Sequence, residues 1–252
     1  MCRAEAVSVE SGSIKVCGVI GDPIAHSLSP ALHQYAYARL GIADQYCYSA
    51  FRVESHELAA AIAGVHALGL RGLSCTMPHK SSVLQHLDEL DPAAEAIGAV
   101  NTIVNERGVL KGYNSDWIGI RDPLTARFDL EGRSVAILGA GGAARAACYA
   151  LQQIGALPVV YNRTLETAAK LARAFGARAF ELKSDSVFEG CCVVINATSA
   201  GMYPEASVSP VSAEQLNGVE LVFDLVYKPK ETEMLRMARE KEIEGISGLE
   251  MF

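Results

Sequence analysis

The chain has 252 residues, half of them apolar, and a formal net charge of −7. That is enough apolar material to bury the core of one large or two smaller domains. No stretch is long and apolar enough to span a membrane, and the acidic balance argues against a nucleic-acid partner, which would call for a basic surface.

A small molecule is therefore the expected ligand. Residues 1–13 carry two acidic residues and no apolar core of the signal-peptide kind, which favours a cytoplasmic location. The seven cysteines (Cys2, Cys17, Cys47, Cys75, Cys148, Cys191 and Cys192) are odd in number and lack a metal-ligand spacing, so reduced thiols are expected and no metal site.

In chain order, short apolar runs alternate with segments of helical period, the pattern of parallel strands joined by crossover helices, so the fold class is α/β. Residues 15–20 read as a buried strand, 21–28 as a loop, and Ser29 as the N-cap of a helix that has Pro30 at its first position. Leu32, Tyr35, Ala36 and Leu40 fall on one face of that helix, and Gly41 can close it.

A second helix is expected over 54–68, a strand over 70–76 leading into a Pro78 turn, and a further helix over 82–90. Residues 100–104 and 109–113 flank Asn105-Glu-Arg-Gly108 as a hairpin, which makes the first sheet mixed, and Asp116 follows as a helix N-cap.

The remainder reads as a mononucleotide-binding half. A strand over 134–138 is followed by a glycine turn, a helix over 143–154, Gly155, a strand over 157–161 and a helix over 165–175, and strands at 192–196 and 221–224 continue the sheet. By element order, without a compositional marker, the boundary between two domains falls near Asp116.

Gly139-Ala-Gly-Gly-Ala-Ala144 lies between a strand and a helix. There glycines let the backbone approach a pyrophosphate, and the free amides and helix dipole favour the anion. Tight strand-to-helix packing is the plainer alternative. At the end of the next strand, where NAD-binding chains carry a carboxylate for the ribose hydroxyls, this one has Asn162-Arg163-Thr164. Arg163 can pair with a 2′-phosphate and Thr164 can cap the helix, which favours NADP, unless Arg163 is only a surface arginine.

In the first half, Ser27, Ser29, Thr76, Lys80, Asn101 and Asp116 gather at expected strand ends, where open α/β sheets form ligand crevices. Such a set suits a polyhydroxylated ring acid, because a site built of hydrogen-bonding groups rejects ligands that leave them unpaired. Taken singly, the serines can be caps, Thr76 a strand residue and Lys80 a solvated lysine. His26, His33 and His79 sit near these loops as packing or capping residues without metal-ligand spacing.

Gly21-Asp-Pro-Ile-Ala-His-Ser-Leu-Ser-Pro-Ala-Leu-His33 resembles the opening signature of shikimate dehydrogenases. Further blocks follow in that family's order: Ser74-Cys-Thr-Met-Pro-His-Lys80, Gly98-Ala-Val-Asn-Thr102, Gly112-Tyr-Asn-Ser-Asp116, Gly139 to Ala144 with Asn162-Arg-Thr164, and Asp224-Leu-Val-Tyr-Lys-Pro229. The resemblance is nearest to the shikimate dehydrogenase half of bifunctional dehydroquinase fusions.

It implies NADPH-dependent reversible reduction of 3-dehydroshikimate, with Lys80 and Asp116 as the catalytic pair. Ser27, Ser29, Thr76, Asn101 and Tyr227, together with Asp116, would contact substrate, and Gly139, Ala140, Gly141, Gly142, Ala143, Asn162, Arg163 and Thr164 the cofactor. It also implies a substrate-binding domain over 1–115, completed by 238–252, and a Rossmann-like NADP-binding domain over 116–237, with a C-terminal helix returning to the first domain, of which this chain would hold only the start. Quinate dehydrogenation and a truncated, non-catalytic ligand-binding module are the alternatives, and a homodimer is admitted.

Overall fold

The computed structural model describes residues 14–251 apart from 26, 184, 186 and 189. The opening segment with Cys2, His26 and Phe252, all used above, lie outside the described residues. The chain forms two compact units, one from Met1–Glu89 and Thr102–Gly112, the other from Leu90–Asn101 and Tyr113–Phe252.

In the first unit, β1 (Lys15–Gly21) leads through α1 (Ser29–Leu40) to β2 (Tyr46–Arg52), and then through α2 (Leu58–Ala67) to β3 (Gly72–Cys75). After β4 (Glu89–Leu90) and α3 (Pro92–Ile97), which is part of the second unit, β5 (Thr102–Glu106) and β6 (Val109–Tyr113) form the expected hairpin.

The sheet order is β2-β1-β3-β5-β6-β4. β1 runs parallel to β2 and β3, while β3 meets β5 antiparallel, so the sheet is mixed as expected. Ile20, Leu73 and Cys75 of the strands and Leu58, Ile62 and Val65 of α2 are buried, and Val19 packs with Ile24 and Tyr48.

Two local expectations change here. Leu28, not Ser29, is the N-cap of α1, and Ser29 is its first helical residue, with its amide donating to Ser27 Oγ at 3.3 Å. The helix expected over 82–90 is a 3₁₀ turn, Ser82–His86, that ends where Leu87 turns extended. The reason lies in Asp88: its amide donates to the Leu110 carbonyl at 2.9 Å and its carboxylate accepts from the Leu110 amide at 2.7 Å, drawing the chain into the sheet.

The second unit takes in α3 and goes on with α4 (Asp116–Thr125), β7 (Ser134–Leu138), α5 (Gly142–Gln153), β8 (Leu157–Asn162), α6 (Leu165–Ala174) and β9 (Arg178–Glu181). It continues with β10 (Cys191–Asn196), β11 (Leu221–Asp224), α7 (Glu233–Glu240) and β12 (Glu244–Ser247). All six strands are parallel, in the order β12-β11-β10-β7-β8-β9.

Helices cover both faces of this sheet, which is why its central strands read as continuous apolar runs. Val135, Ile137, Val160, Ile195 and Phe223 pack on the α5 and α6 side, and Ala136, Leu138, Val159, Val194 and Val222 pack with Met234, Leu235 and Ala238 of α7.

The end of the chain corrects the expected division at Asp116. Residues 238–252 were expected to complete the first domain, but β12 pairs with β11 from Leu221↔Glu244 to Asp224↔Ser247, and Ile246 is fully buried in the second core. Arg127 fastens the segment through Glu244 at 3.0 Å and Glu250 at 2.6 Å. The last described turn, Gly248–Met251, is 3₁₀ and lies on α4, where only a glycine fits: a Cβ on Gly119 would stand 2.5 Å from the Met251 carbonyl oxygen.

Candidate active site

In the first unit, the C-terminal ends of β1 and β3 lie side by side. The Thr76 amide donates to the Ile20 carbonyl at 3.0 Å and the Asp22 amide to Met77 at 3.0 Å. Gly21 allows this approach, since a Cβ there would be 2.5 Å from Thr76 Cγ2 and 2.9 Å from the Met77 carbonyl oxygen. Ser27 and Ser29, at the start of α1, and Thr76 and Lys80, on the turn after β3, are all half-buried.

Beneath α1, His33 stacks on Tyr48 with centroids 4.0 Å apart, and the Tyr48 hydroxyl donates to Ser74 Oγ at 2.6 Å. Burial depresses the His33 imidazole below its ordinary value. It raises the Tyr48 phenol, and the bond to Ser74 opposes that rise.

In the second unit, Asn101 and Asp116 meet directly. Asn101 Nδ2 donates to Asp116 Oδ1 at 2.8 Å and to Ser115 Oγ at 2.9 Å, and its Oδ1 accepts the Ser115 amide at 3.1 Å. Asp116 is not the N-cap expected of it. Ser115 holds that position and Asp116 is the first residue of α4, where a carboxylate is favoured by the helix dipole. The supporting residue is Asn114, buried, which donates to the Ala99 carbonyl at 2.9 Å and accepts the Asp116 amide at 3.0 Å.

The strand order reverses direction between β7 and β10, so the loops after these strands form the topological switch point. Gly139 has φ +105°, and a Cβ on it would lie 3.1 Å from both the Ala197 carbonyl oxygen and Thr198 Cγ2. Gly141 is the N-cap of α5, with no side-chain cap and open space where a Cβ would be, and Gly142 and Ala143 open the helix.

No acidic side chain occupies that first turn, so its amides are available to an anion. At the end of β8, Asn162 Nδ2 donates to the Thr164 carbonyl at 3.1 Å. Thr164 is the N-cap of α6 but makes no side-chain bond to its amides, contrary to the expected cap. Arg163 is exposed and has neither an ion pair nor a hydrogen bond among the described residues. These features fit a dinucleotide with an extra phosphate at the arginine.

A buried polar network lies behind the switch point. Asp224 Oδ2 accepts from the Thr232 hydroxyl at 2.6 Å, and its Oδ1 accepts from Asn196 Nδ2 at 2.9 Å and the Val226 amide at 3.0 Å. Asn196 Oδ1 in turn accepts the Thr198 amide at 3.0 Å and hydroxyl at 2.7 Å. The network thus joins the loop against Gly139 to the loop carrying Tyr227, which is half-buried.

Burial pushes the Asp224 carboxyl up to about 6, against the pull of its three donors. Sequence reading passed over Asn114, Asn196 and Thr232. The signal for Asn196 was present, as a polar residue ending an otherwise apolar strand.

The six described cysteines are free thiols. Among the described residues no group of three or more His, Cys, Asp or Glu can hold a metal ion, and no helix is long and apolar enough to cross a membrane.

A doubly wound parallel sheet with a glycine turn at its switch point defines a dinucleotide-binding α/β protein. The model of the shikimate dehydrogenase substrate binding domain matches residues 19–103, and that of shikimate / quinate 5-dehydrogenase matches residues 124–234. The chain belongs to the shikimate dehydrogenase family.

The shikimate dehydrogenase (NADP(+)) of Caldanaerobacter subterraneus is 42% identical over 94% of this chain and 87% of its own. That of Moorella thermoacetica is 43% identical over 95% and 84% respectively. The crystal structure of the Thermus thermophilus enzyme in complex with NADP(H) and shikimate superposes with a TM-score of 0.84 at 37% identity, covering 94% of this chain and 88% of that one.

Proposed function

We propose that this chain is an NADP-dependent shikimate dehydrogenase that reversibly reduces 3-dehydroshikimate to shikimate in the cytosol, the step that supplies the route to chorismate and the aromatic amino acids. The observation that carries the reading is the Asn101–Asp116 pair. It holds a carboxylate at a helix N-terminus in one fixed orientation, within a chain of this family.

When bound, NADPH supplies the hydride for the ring carbonyl carbon. Lys80 donates a hydrogen bond to the carbonyl oxygen and stabilises the alkoxide-like charge that develops there. Asp116 orients the substrate and takes part in the proton exchange at that oxygen, with its own position fixed by Asn101 and by the Asn114 bond to its amide.

Ser27, Ser29, Thr76, Asn101 and Tyr227 bind the hydroxyls and carboxylate of the substrate, each polar group adding discrimination because its loss of a partner is penalised. The amides of Gly139, Ala140, Gly141, Gly142 and Ala143 hold the pyrophosphate, and Asn162, Arg163 and Thr164 hold the 2′-phosphate.

The test is product identification. Incubation with 3-dehydroshikimate and NADPH should yield shikimate by chromatography in equal molar amount to the NADPH consumed. NADPH consumption without shikimate, or neither, would defeat the proposal.

A further inference from the structure

We infer that His79 is the positioning residue for Thr76 and Lys80: it donates from Nε2 to the Val53 carbonyl and so fixes the turn after β3 against the end of β2. The inference rests on the function proposed above. The imidazole is fully buried, with Nε2 2.7 Å from the Val53 carbonyl oxygen. A carbonyl only accepts, so the ring hydrogen is on Nε2 and Nδ1 is left as an acceptor. Nδ1 is the one buried side-chain nitrogen or oxygen among the described residues that has no hydrogen-bond partner.

That orphan separates positioning from packing. A buried nitrogen without a partner is unfavourable, and an apolar residue of similar volume would avoid it. Histidine is therefore poorly matched to a packing role at this position. What it supplies, and leucine cannot, is a donor at the far end of a rigid ring.

The bond closes a circuit around the ends of three strands. The Val53 amide donates to the Gly21 carbonyl at 3.2 Å, the Asp22 amide to Met77 at 3.0 Å, and the Thr76 amide to Ile20 at 3.0 Å. These bonds tie the turn to β1 as far as Met77. Beyond it, the backbone bonds of His79 are local, its amide to Thr76 at 2.8 Å and its carbonyl from Val83 at 2.9 Å. The imidazole adds the tie to β2, one residue before Lys80. The sequence reading took His79 for a packing or capping residue because no spacing marks a histidine whose partner is a backbone carbonyl.

The experiment uses the full chain with shikimate and NADP. In His79→Gln the amide nitrogen stands the same number of bonds from the backbone as Nε2, whereas His79→Asn is one bond short and His79→Leu has no donor. Val83→Ala, which removes a fully buried side chain from the next turn, serves as a stability control. His79→Leu and His79→Asn should lower kcat at least about tenfold, the scale of a misplacement below 1 Å. KM for NADP should stay within about twofold, and His79→Gln should recover most of the turnover. Val83→Ala should lose stability and keep its kcat.

A His79→Leu variant with wild-type kcat would overturn the inference, as would a Val83→Ala variant that loses as much turnover at an equal drop in melting temperature. Amide hydrogen exchange gives a reading that does not depend on activity, and it applies to His79→Asn if His79→Leu does not fold. Exchange at His79 and Lys80 should rise at least about tenfold while α2 is unchanged; unaltered exchange there would also overturn the inference. A wild-type chain inactive on shikimate would instead sink the functional reading, leaving the exchange result to judge His79.

Discussion

Asp224→Asn isolates the energetic consequence of burying a carboxylate behind the cofactor turn. Asp224 is fully buried, and burial raises its carboxyl from 3.8 to about 6 although Thr232, Val226 and Asn196 all donate to it. An acid raised in this way binds its proton more tightly in the folded chain than in the unfolded one. Its contribution to stability is therefore greatest while protonated, declines as pH rises from about 3.8 to about 6, and is constant above that.

At about 1.4 kcal/mol per unit the whole span is roughly 3 kcal/mol, of which about 2 kcal/mol falls between about pH 4.5 and about pH 7.5. Asparagine removes the titration and keeps an acceptor for Asn196 and Val226. Opposite Thr232 it places a donor, a loss that does not depend on pH. Urea unfolding of both proteins across this window should show the stability difference moving in favour of the variant by about 2 kcal/mol as pH rises. A difference that stays constant would mean that the three hydrogen bonds fully offset burial, and the reasoning would fail.

Lys80→Ala and Asp116→Asn should each lower kcat by at least about two orders of magnitude, the scale of a positioned acid-base or charge-stabilising group, with a smaller effect on shikimate KM. Arg163→Ala should weaken NADP by roughly 1.5–3 kcal/mol and leave NAD almost unchanged in steady-state kinetics; an equal loss for both would assign Arg163 to the fold instead. Gly139→Ala forces a side chain into φ +105° and against the Ala197 carbonyl oxygen at 3.1 Å. It should cost about 1–3 kcal/mol of stability and raise KM for NADP more than for shikimate.

The parts of the fold that were legible are those whose environment writes a period into the sequence. β7, α5, β8 and α6 were read almost to their ends because strands buried on both faces carry unbroken apolar runs and a glycine turn separates strand from helix. β2 and β9 were missed because both are edge strands with mostly exposed side chains, leaving little alternation to detect.

α7 does bury Met234, Leu235, Met237 and Ala238 on one face, but its eight residues are shorter than the window in which helical period can be recognised. The end of the chain was misplaced because the tie that holds it runs from Arg127 to Glu244 and Glu250, a pairing across more than a hundred positions.

In the candidate site, the glycine turn and Arg163 followed from local chemistry. The meeting of Asn101 with Asp116 is carried by a hairpin between them; their place at strand ends put both in one ligand crevice but did not pair them. His79 and Asn114 were illegible for another reason: a lone polar residue looks the same in sequence whether it is solvated or buried against a backbone carbonyl.

The central claim is tested most directly by the ratio of kcat/KM for shikimate to that for quinate with NADP, measured beside the same pair with NAD. The account predicts that shikimate with NADP exceeds each of the other combinations at least about tenfold, the discrimination expected when one hydrogen-bonding group or one charged contact is mismatched. Equal values for the two acids, or a preference for NAD, would contradict it.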